Sequence, residues 1–503
     1  MIRENYYNIE NGLEVKENLL VIKDSLKDKN KGSREKEALI FAIKDNPEIF
    51  IGLLENEDPK IRKNSAVILG ILGYQQSAEA LFKAYTTDTI KYNKATYVEA
   101  LRALDYSEYR DALKKRYDEL KSTPIKEEDK KHVLDEMKQL KLIFGNGKTE
   151  FTGFSLKNEC ILTTNRNFRE LTADALKDNS TCKLFTAGVT VKTNDLKKIL
   201  PIRTYEELLF IPDGVKFVEN DPTKAAKQLI DGNITDYIFA RVGYVKEDNN
   251  DTVPSEIRFR VDVRAPKEIK ESDFSKKLSG ELEILSGFRL VNSVSDYDVE
   301  IRLVLNSAGR FNVLVRFALL KDVRFTYRKE TIAATLKPYL AATLLELAYP
   351  YFKKNAAVLD PFCGVGTLIA EREIAYGARL YYGTDIFGEA IKKAETNLKL
   401  AGISKKTNLI TKDFFEFEHE YKFNEVITDM PFVTAAKTEK DIENIYKKFF
   451  GKIGDFLEKN AVLVIYSRNP EFVNRYASCN GFNLRENYEI SKFENSHLFI
   501  LEN

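Results

Sequence analysis

From residue 356 to the end of the chain, apolar runs of strand length alternate with helical stretches. The runs fall at 356–360, 379–385, 408–413, 425–429, 461–467, 482–490 and 496–502, and helical periodicity occupies 367–376, 388–401 and 439–458. Parallel strands need long crossovers and antiparallel ones do not. The first five runs therefore predict a doubly wound, mainly parallel sheet, and the last two, with almost no helix between them, predict a closing antiparallel hairpin. In such a sheet a ligand binds outside the carboxyl ends of the strands, so the residues ending each run are the ones to read for chemistry.

Four of those ends carry a pattern. Asp360-Pro361-Phe362-Cys363-Gly364-Val365-Gly366-Thr367 follows the first run and opens a helix. Its glycines permit a tight turn and close approach of backbone to a ligand at a helix N-terminus. It lacks the third glycine of a dinucleotide fingerprint and the lysine of a phosphate loop, which points to a cofactor that needs no phosphate grip. Asp360 can pair with a cationic amine. Asp385, followed by Ile386, ends the second run, where a carboxylate can accept both hydroxyl hydrogens of a ribose. Asp413-Phe414 ends the third. Alone, Asp413 reads best as a cap or turn residue; as the third acid at the end of three successive strands it can also accept from an adenine amine, with the Phe414 ring lining the base pocket. The fourth run ends in Thr428-Asp429-Met430-Pro431-Phe432. The exocyclic amine of a base is a poor nucleophile, and Asp429 with the Met430 carbonyl can accept its hydrogens while Phe432 stacks on the ring. Pro431 keeps the turn stiff.

The rest of the chain reads differently. Residues 1–145 are helical: apolar spacing marks helices at 37–54, 61–73, 77–87 and 92–105. Around Pro59 and Arg62, the residues Ala66, Leu69, Leu72 and Gly73 form a tight apolar face that a second helix could approach closely. This face resembles a HEAT-type helix pair, with a plain helical bundle as the alternative. The Lys/Glu-rich 114–141, containing Pro124, reads as a solvated helix and linker. Between 148 and 325, strands at 159–164, 182–192, 206–211, 257–264, 298–305 and 311–317 interleave with helices at 168–177, 193–200, 223–231 and 273–287, which suggests two small α+β domains, 148–215 and 216–325.

Together, the residues at the strand ends resemble class I methyltransferases that use S-adenosylmethionine, and more narrowly those with an (Asp/Asn)-Pro-Pro-(Tyr/Phe) box. DPFCGVGT followed by TDMPF is similar to the THUMP-domain RNA methyltransferases, which act on guanine N2; Tyr327-Arg328-Lys329 and Leu336 to Ala342 look like that family's lead-in helix. The resemblance implies that 326–503 is a Rossmann-like methyltransferase domain, 148–215 a ferredoxin-like domain and 216–325 a THUMP-like RNA-binding domain. It also implies that Asp360, Gly364 and Gly366 hold the methionine end of the cofactor, and that Pro361, Phe362, Cys363, Thr367 and Ile386 belong to its binding site. Asp385 would hold the ribose, Asp413 and Phe414 the adenine, and Asp429 to Phe432 the target base. Arg258, Arg260, Arg264 and Lys267 would put positive charge on one strand face, suited to phosphates. Two features depart from the family pattern: Met430 stands where Leu or Pro is usual, and Val433-Thr434 replaces a glycine.

Composition sets outer limits. With 78 basic and 77 acidic residues, net charge favours no nucleic-acid partner, so any RNA must be gripped by local patches. Met1 to Leu20 is charged throughout, so no signal peptide is expected, and no apolar run is long enough to predict a membrane span. The four scattered cysteines, Cys160, Cys182, Cys363 and Cys479, predict reduced thiols, no metal site and a cytoplasmic setting. The leading expectation is an enzyme forming N2-methylguanosine in tRNA, with possible protein partners at 1–145. Methylation of rRNA, adenine-N6 methylation and an inactive RNA-binding protein are the alternatives.

Overall fold

The computed structural model describes residues 2–28, 32–43, 47–122, 127–144, 149–177, 181–244, 256–266, 269–332, 335–434 and 437–503. Two units emerge, Met1–Lys148 and Thr149–Asn503.

The first unit is helical throughout its described residues. In its central helix, Pro59–Leu72, Asp58 caps the N-terminus by accepting the Lys60 N–H at 2.7 Å, and Pro59 takes the first turn, where its missing N–H costs nothing. Ala66, Leu69 and Leu72 are buried as expected. Gly73 is not on that face: it is the exposed C-cap, at φ 79°. The close approach belongs instead to Gly70, whose position leaves an added Cβ only 2.8 Å from the Ala100 Cα. The stretch 37–54 is two helices, Gly32–Ile43 and Glu48–Gly52, with Pro47 capping the second. Nor is 114–141 simply solvated. It contributes to two amphipathic helices, Arg110–Ser122 and Lys130–Phe144, that bury Leu113, Tyr117, Met137 and Leu140; Pro124 lies outside the described residues. Even its charge is partly internal, since buried Glu136 accepts from the Tyr85 hydroxyl at 2.7 Å and from Arg116 at 3.0 Å.

In the second unit, the expected boundary at 215/216 does not divide the molecule. A single nine-stranded sheet runs through it, with Tyr205–Phe210 joined to Phe311–Phe317 by the Val315–Phe210 pairing. The Phe151, Phe210 and Phe317 rings pack edge to face or tilted across this join at 5.0–5.7 Å between centroids. The run 182–192 is a hairpin of Thr181–Phe185 and Gly188–Thr193, not one strand. Gly188 is required there, because a Cβ would fall 2.0 Å from the Leu162 carbonyl oxygen. Residues 193–200 form only a short 3-10 turn, Leu196–Lys198.

The arginine face is a further correction. Arg258 donates to Asp298 at 2.8 Å and pairs with Asp296, Arg260 donates to Glu300 at 2.9 Å, and Arg264 donates to Asp262 at 3.0 Å. Parallel pairing of Ile257–Arg264 with Val299–Leu305 sets the acids of one strand beside the arginines of the other. The face is an ion-pair network rather than a bare cationic strip. Lys267 lies outside the described residues.

The C-terminal sheet forms as the alternation predicts. Its spatial order is Thr407–Thr411, Leu380–Asp385, Ala357–Asp360, Phe423–Asp429, Leu457–Ser467, Ser496–Glu502 and Asn483–Ser491; the first five strands are parallel and the last two antiparallel. One helix, Pro470–Cys479, was not anticipated. Strand order reverses between Ala357–Asp360 and Phe423–Asp429, and that switch point opens a crevice at their carboxyl ends. Beneath it, Arg372 and Glu425, both 0% exposed, tie the helix after the glycine turn to the fourth strand. Buried Glu371 links the same helix to the middle sheet, accepting from Arg203 at 2.7 and 2.9 Å and from the Tyr327 hydroxyl at 2.6 Å.

Candidate active site

A cavity of about 450 Å³ opens at the switch point. Of the site residues expected from the sequence, Asp360 to Gly364, Thr367, Asp385, Ile386, Asp413, Phe414 and Asp429 to Phe432 line it. Gly366 does not: it sits at φ 79° with an added Cβ 3.1 Å from Leu398, so its part is to let the helix after the turn pack tightly.

The turn is held from two sides. Asp385 receives the Gly364 N–H at 3.0 Å and the Phe387 N–H at 2.9 Å, binding the second strand's end to the glycine loop. Behind it, the Thr384 hydroxyl donates to the Pro361 carbonyl at 2.9 Å, and the Cys363 N–H donates to the Thr384 carbonyl at 3.0 Å. Gly383 makes this approach possible, since a Cβ there would meet the Cys363 sulfur at 2.9 Å. A lone glycine inside a strand pattern is the signal for such contact, and it passed unread in the sequence.

Asp360 ends the first strand 1% exposed, accepting from the Phe362 N–H at 3.2 Å and the Thr428 hydroxyl at 3.0 Å. Burial pushes its carboxyl up to about 8, and the neighbouring charges of Asp429 and Asp385 act in the same direction against the two hydrogen bonds. A buried acid that resists ionisation is poised for a cationic group. Asp413 does cap its own turn, accepting from the Phe415 N–H at 2.9 Å. Phe414, 1% exposed, packs among Phe362, Phe417, Phe449 and Phe456, so it forms a wall of the cavity and offers no open face for stacking.

Asp429 ends the fourth strand with its Oδ1 buried and without a hydrogen-bond partner. Burial raises its carboxyl to about 7, opposed by the charge of Arg468 and assisted by Glu494. The Met430 N–H donates to the Tyr466 carbonyl at 2.9 Å, locking the loop to the fifth strand, and the Met430 side chain is fully buried. After exposed Val433, the Thr434 and Lys437 backbones exchange hydrogen bonds at 3.2 and 3.3 Å. Ile332, Thr335 and Leu336 complete the cavity from the lead-in segment.

These features fit S-adenosylmethionine. Gly364 and Gly366 both take positive φ at the turn, the buried Thr367 Oγ1 has no partner, and Asp360 and Asp385 end adjacent strands. No cluster of metal-ligating side chains exists among the described residues.

Residues 326–490 match the RMKL-like methyltransferase domain family. The chain is 31% identical over 116 residues to the human U6 snRNA (guanine-N(2))-methyltransferase THUMPD2, which amounts to 23% of this chain and 23% of that protein. It is 22% identical over 266 residues to a tRNA (guanine(10)-N2)-dimethyltransferase of Methanothermobacter thermautotrophicus, covering 50% of this chain and 76% of the relative. To a probable tRNA (guanine(10)-N2)-dimethyltransferase of Methanothermococcus thermolithotrophicus it is 30% identical over 135 residues, 25% of this chain and 78% of that one. Among solved structures, TrmN from Thermus thermophilus shares the fold, with a TM-score of 0.50 at 16% identity over 69% of this chain and 99% of that one. The chain belongs to the guanine-N2 methyltransferase family that these relatives represent, and carries its RMKL-like methyltransferase domain.

Proposed function

We propose that the protein transfers a methyl group from S-adenosylmethionine to the exocyclic N2 of a guanosine in tRNA. The observation that carries this reading is Asp429: a half-buried carboxyl whose buried Oδ1 has no partner, lining the same cavity as the glycine turn and Phe432. When bound, S-adenosylmethionine supplies a methyl group made electrophilic by its sulfonium. The protein's own part is placement. Ionised Asp429 accepts hydrogen bonds from the amine and can take the proton it sheds. Phe432 stacks on the base, and the stiff Pro431 turn fixes the distance between them. Asp360 and Asp385 hold the cofactor's amine and ribose. Reaching Phe432 requires the base to leave its stack, which costs least in loops and at ends.

The named relatives act on tRNA and on U6 snRNA, so a small structured RNA other than tRNA is the second reading. In the same reading the middle region is a ferredoxin-like and THUMP-like RNA-binding pair, and HEAT-like helix pairs before residue 145 take a protein partner. The test is methylation of unmodified tRNA, rRNA, U6 RNA and DNA with labelled cofactor, followed by nucleoside analysis. N2-methylguanosine in tRNA supports the proposal. N6-methyladenosine, or label confined to another RNA, replaces its substrate.

A further inference from the structure

Arg468 follows the fifth strand, Leu457–Ser467, and no expectation from the sequence involved it. Its guanidinium lies over the Phe432 ring, 3.9 Å from the centroid. Phe432 lines the cavity while Arg468 does not, so the guanidinium backs the ring from outside the cavity. Its backbone setting is fixed: the Tyr446 and Ser467 hydroxyls hydrogen-bond at 2.7 Å, and the Ser467 oxygen receives the Asn469 N–H at 2.9 Å. On the other side, Arg468 Nε stands 4.0 Å from Glu494, at the tip of the terminal hairpin. Its Nη1 is buried and has no hydrogen-bond partner.

We propose that Arg468 is a positioning residue: it braces Phe432 so that the opposite face of the ring receives the target base, and its charge keeps the adjacent Asp429 able to accept from the amine. Three observations support it. A cation over an aromatic face fixes ring orientation and is strengthened when desolvated. A buried guanidinium nitrogen left without a hydrogen bond is costly and calls for an explanation, a role at the adjacent site among them. Finally, the other groups whose electrostatics are linked to Asp429 among the described residues are acidic or phenolic: Asp360 on the neighbouring strand, Tyr446 on the Glu439–Ile453 helix, Tyr466 on the fifth strand and Glu494 on the hairpin, while Lys412 and Lys437 line the same cavity. Arg468 is the positive charge that opposes the acids at Asp429. The inference deepens the proposed function and rests on it for the identity of the base, while the bracing of Phe432 does not.

The experiment uses the full chain with Arg468→Met and Arg468→Lys, each first checked for unchanged cofactor affinity by calorimetry. With the RNA substrate, Arg468→Met raises KM about tenfold, the scale of a desolvated cation–π contact. It also moves the acid limb of the kcat/KM–pH profile upward by about one unit, because the positive charge that opposes protonation of Asp429 is gone. Arg468→Lys restores most of the pH shift and part of the KM. A profile unmoved in Arg468→Met overturns the proposal. A second arm needs no turnover: the chain contains no tryptophan, so Phe432→Trp introduces a single fluorophore. Adding Arg468→Met should red-shift its emission and increase its quenching by acrylamide. If both are unchanged the bracing is refuted, even if the RNA substrate proves to be different from the one proposed.

Discussion

Replacing Arg372 by Met tests how the site is held together. The guanidinium donates through Nε at 2.9 Å and Nη2 at 2.7 Å, both to the same oxygen of Glu425. Its other nitrogen, Nη1, has no partner, and the Phe352 ring lies 3.9 Å away. Without Arg372, Glu425 keeps the Lys353 N–H on one oxygen and loses everything on the other. Breaking a buried pair from one side costs about 3–5 kcal/mol; with half the carboxylate still satisfied and Met filling much of the volume, about 3 kcal/mol is expected at pH 7.5. Burial already raises the Glu425 carboxyl above its ordinary 4.5, against the pull of Arg372. The sign follows: ionising a group whose folded pKa is raised costs stability, and that cost grows as pH climbs from the unfolded value. Losing Arg372 raises the carboxyl further, so protonation relieves the variant at about 1.4 kcal/mol per pH unit, leaving about 1 kcal/mol of penalty at about pH 6. Arg372→Met combined with Glu425→Gln should recover most of the loss at pH 7.5. Hydrogen exchange of a peptide spanning the Phe423–Asp429 strand reads this locally, whatever the other regions do. A penalty below 1 kcal/mol at pH 7.5, or one that does not change with pH, would refute the reasoning.

Asp360→Asn should stabilise the protein at pH 7 by about 1–2 kcal/mol, because folding no longer has to take up a proton on a buried acid that the unfolded chain keeps ionised; thermal unfolding checks this, and calorimetry should show cofactor affinity reduced at least tenfold. Gly366→Ala should cost about 1–2 kcal/mol, from the positive φ and the contact with Leu398, with cofactor binding weakened by displacement rather than by lost contact. Arg260→Ala should lower stability while leaving the salt dependence of RNA binding unchanged, since that guanidinium is engaged with Glu300; a phosphate contact would instead reduce the log–log slope by about 0.7–0.9.

The C-terminal sheet was legible because each of its strands is an apolar run bounded by turns, and because parallel strands force helices between them. Its site was legible for a related reason: the fold places strand ends together, so the strand order alone makes Asp360, Asp385, Asp413 and Asp429 neighbours. Three things were hidden. The role of Gly383 depends on how near the second strand comes to the Cys363 loop, which a single strand does not reveal. The join between Phe210 and Val315 is a long-range pairing, and the sequence around 215 looks like any loop. The arginines at 258 and 260 read as a cationic face because their acidic partners, Asp298 and Glu300, stand 40 residues away at the neighbouring parallel strand. Phe414 lines the cavity, and whether its ring does so with its face or its edge is settled by packing that the sequence does not show.

The central claim is that Asp429 is the group that engages the target amine. The most direct measurement compares wild type, Asp429→Asn and Asp429→Ala for methyl transfer to unmodified tRNA between pH 5.5 and 9, with cofactor affinity measured alongside. The account predicts N2-methylguanosine from the wild type, falling away below about pH 7 as Asp429 protonates. Asp429→Ala should lose at least a hundredfold in kcat/KM, with cofactor binding retained. Wild-type rates in Asp429→Ala, or a product methylated at any other atom, would contradict it.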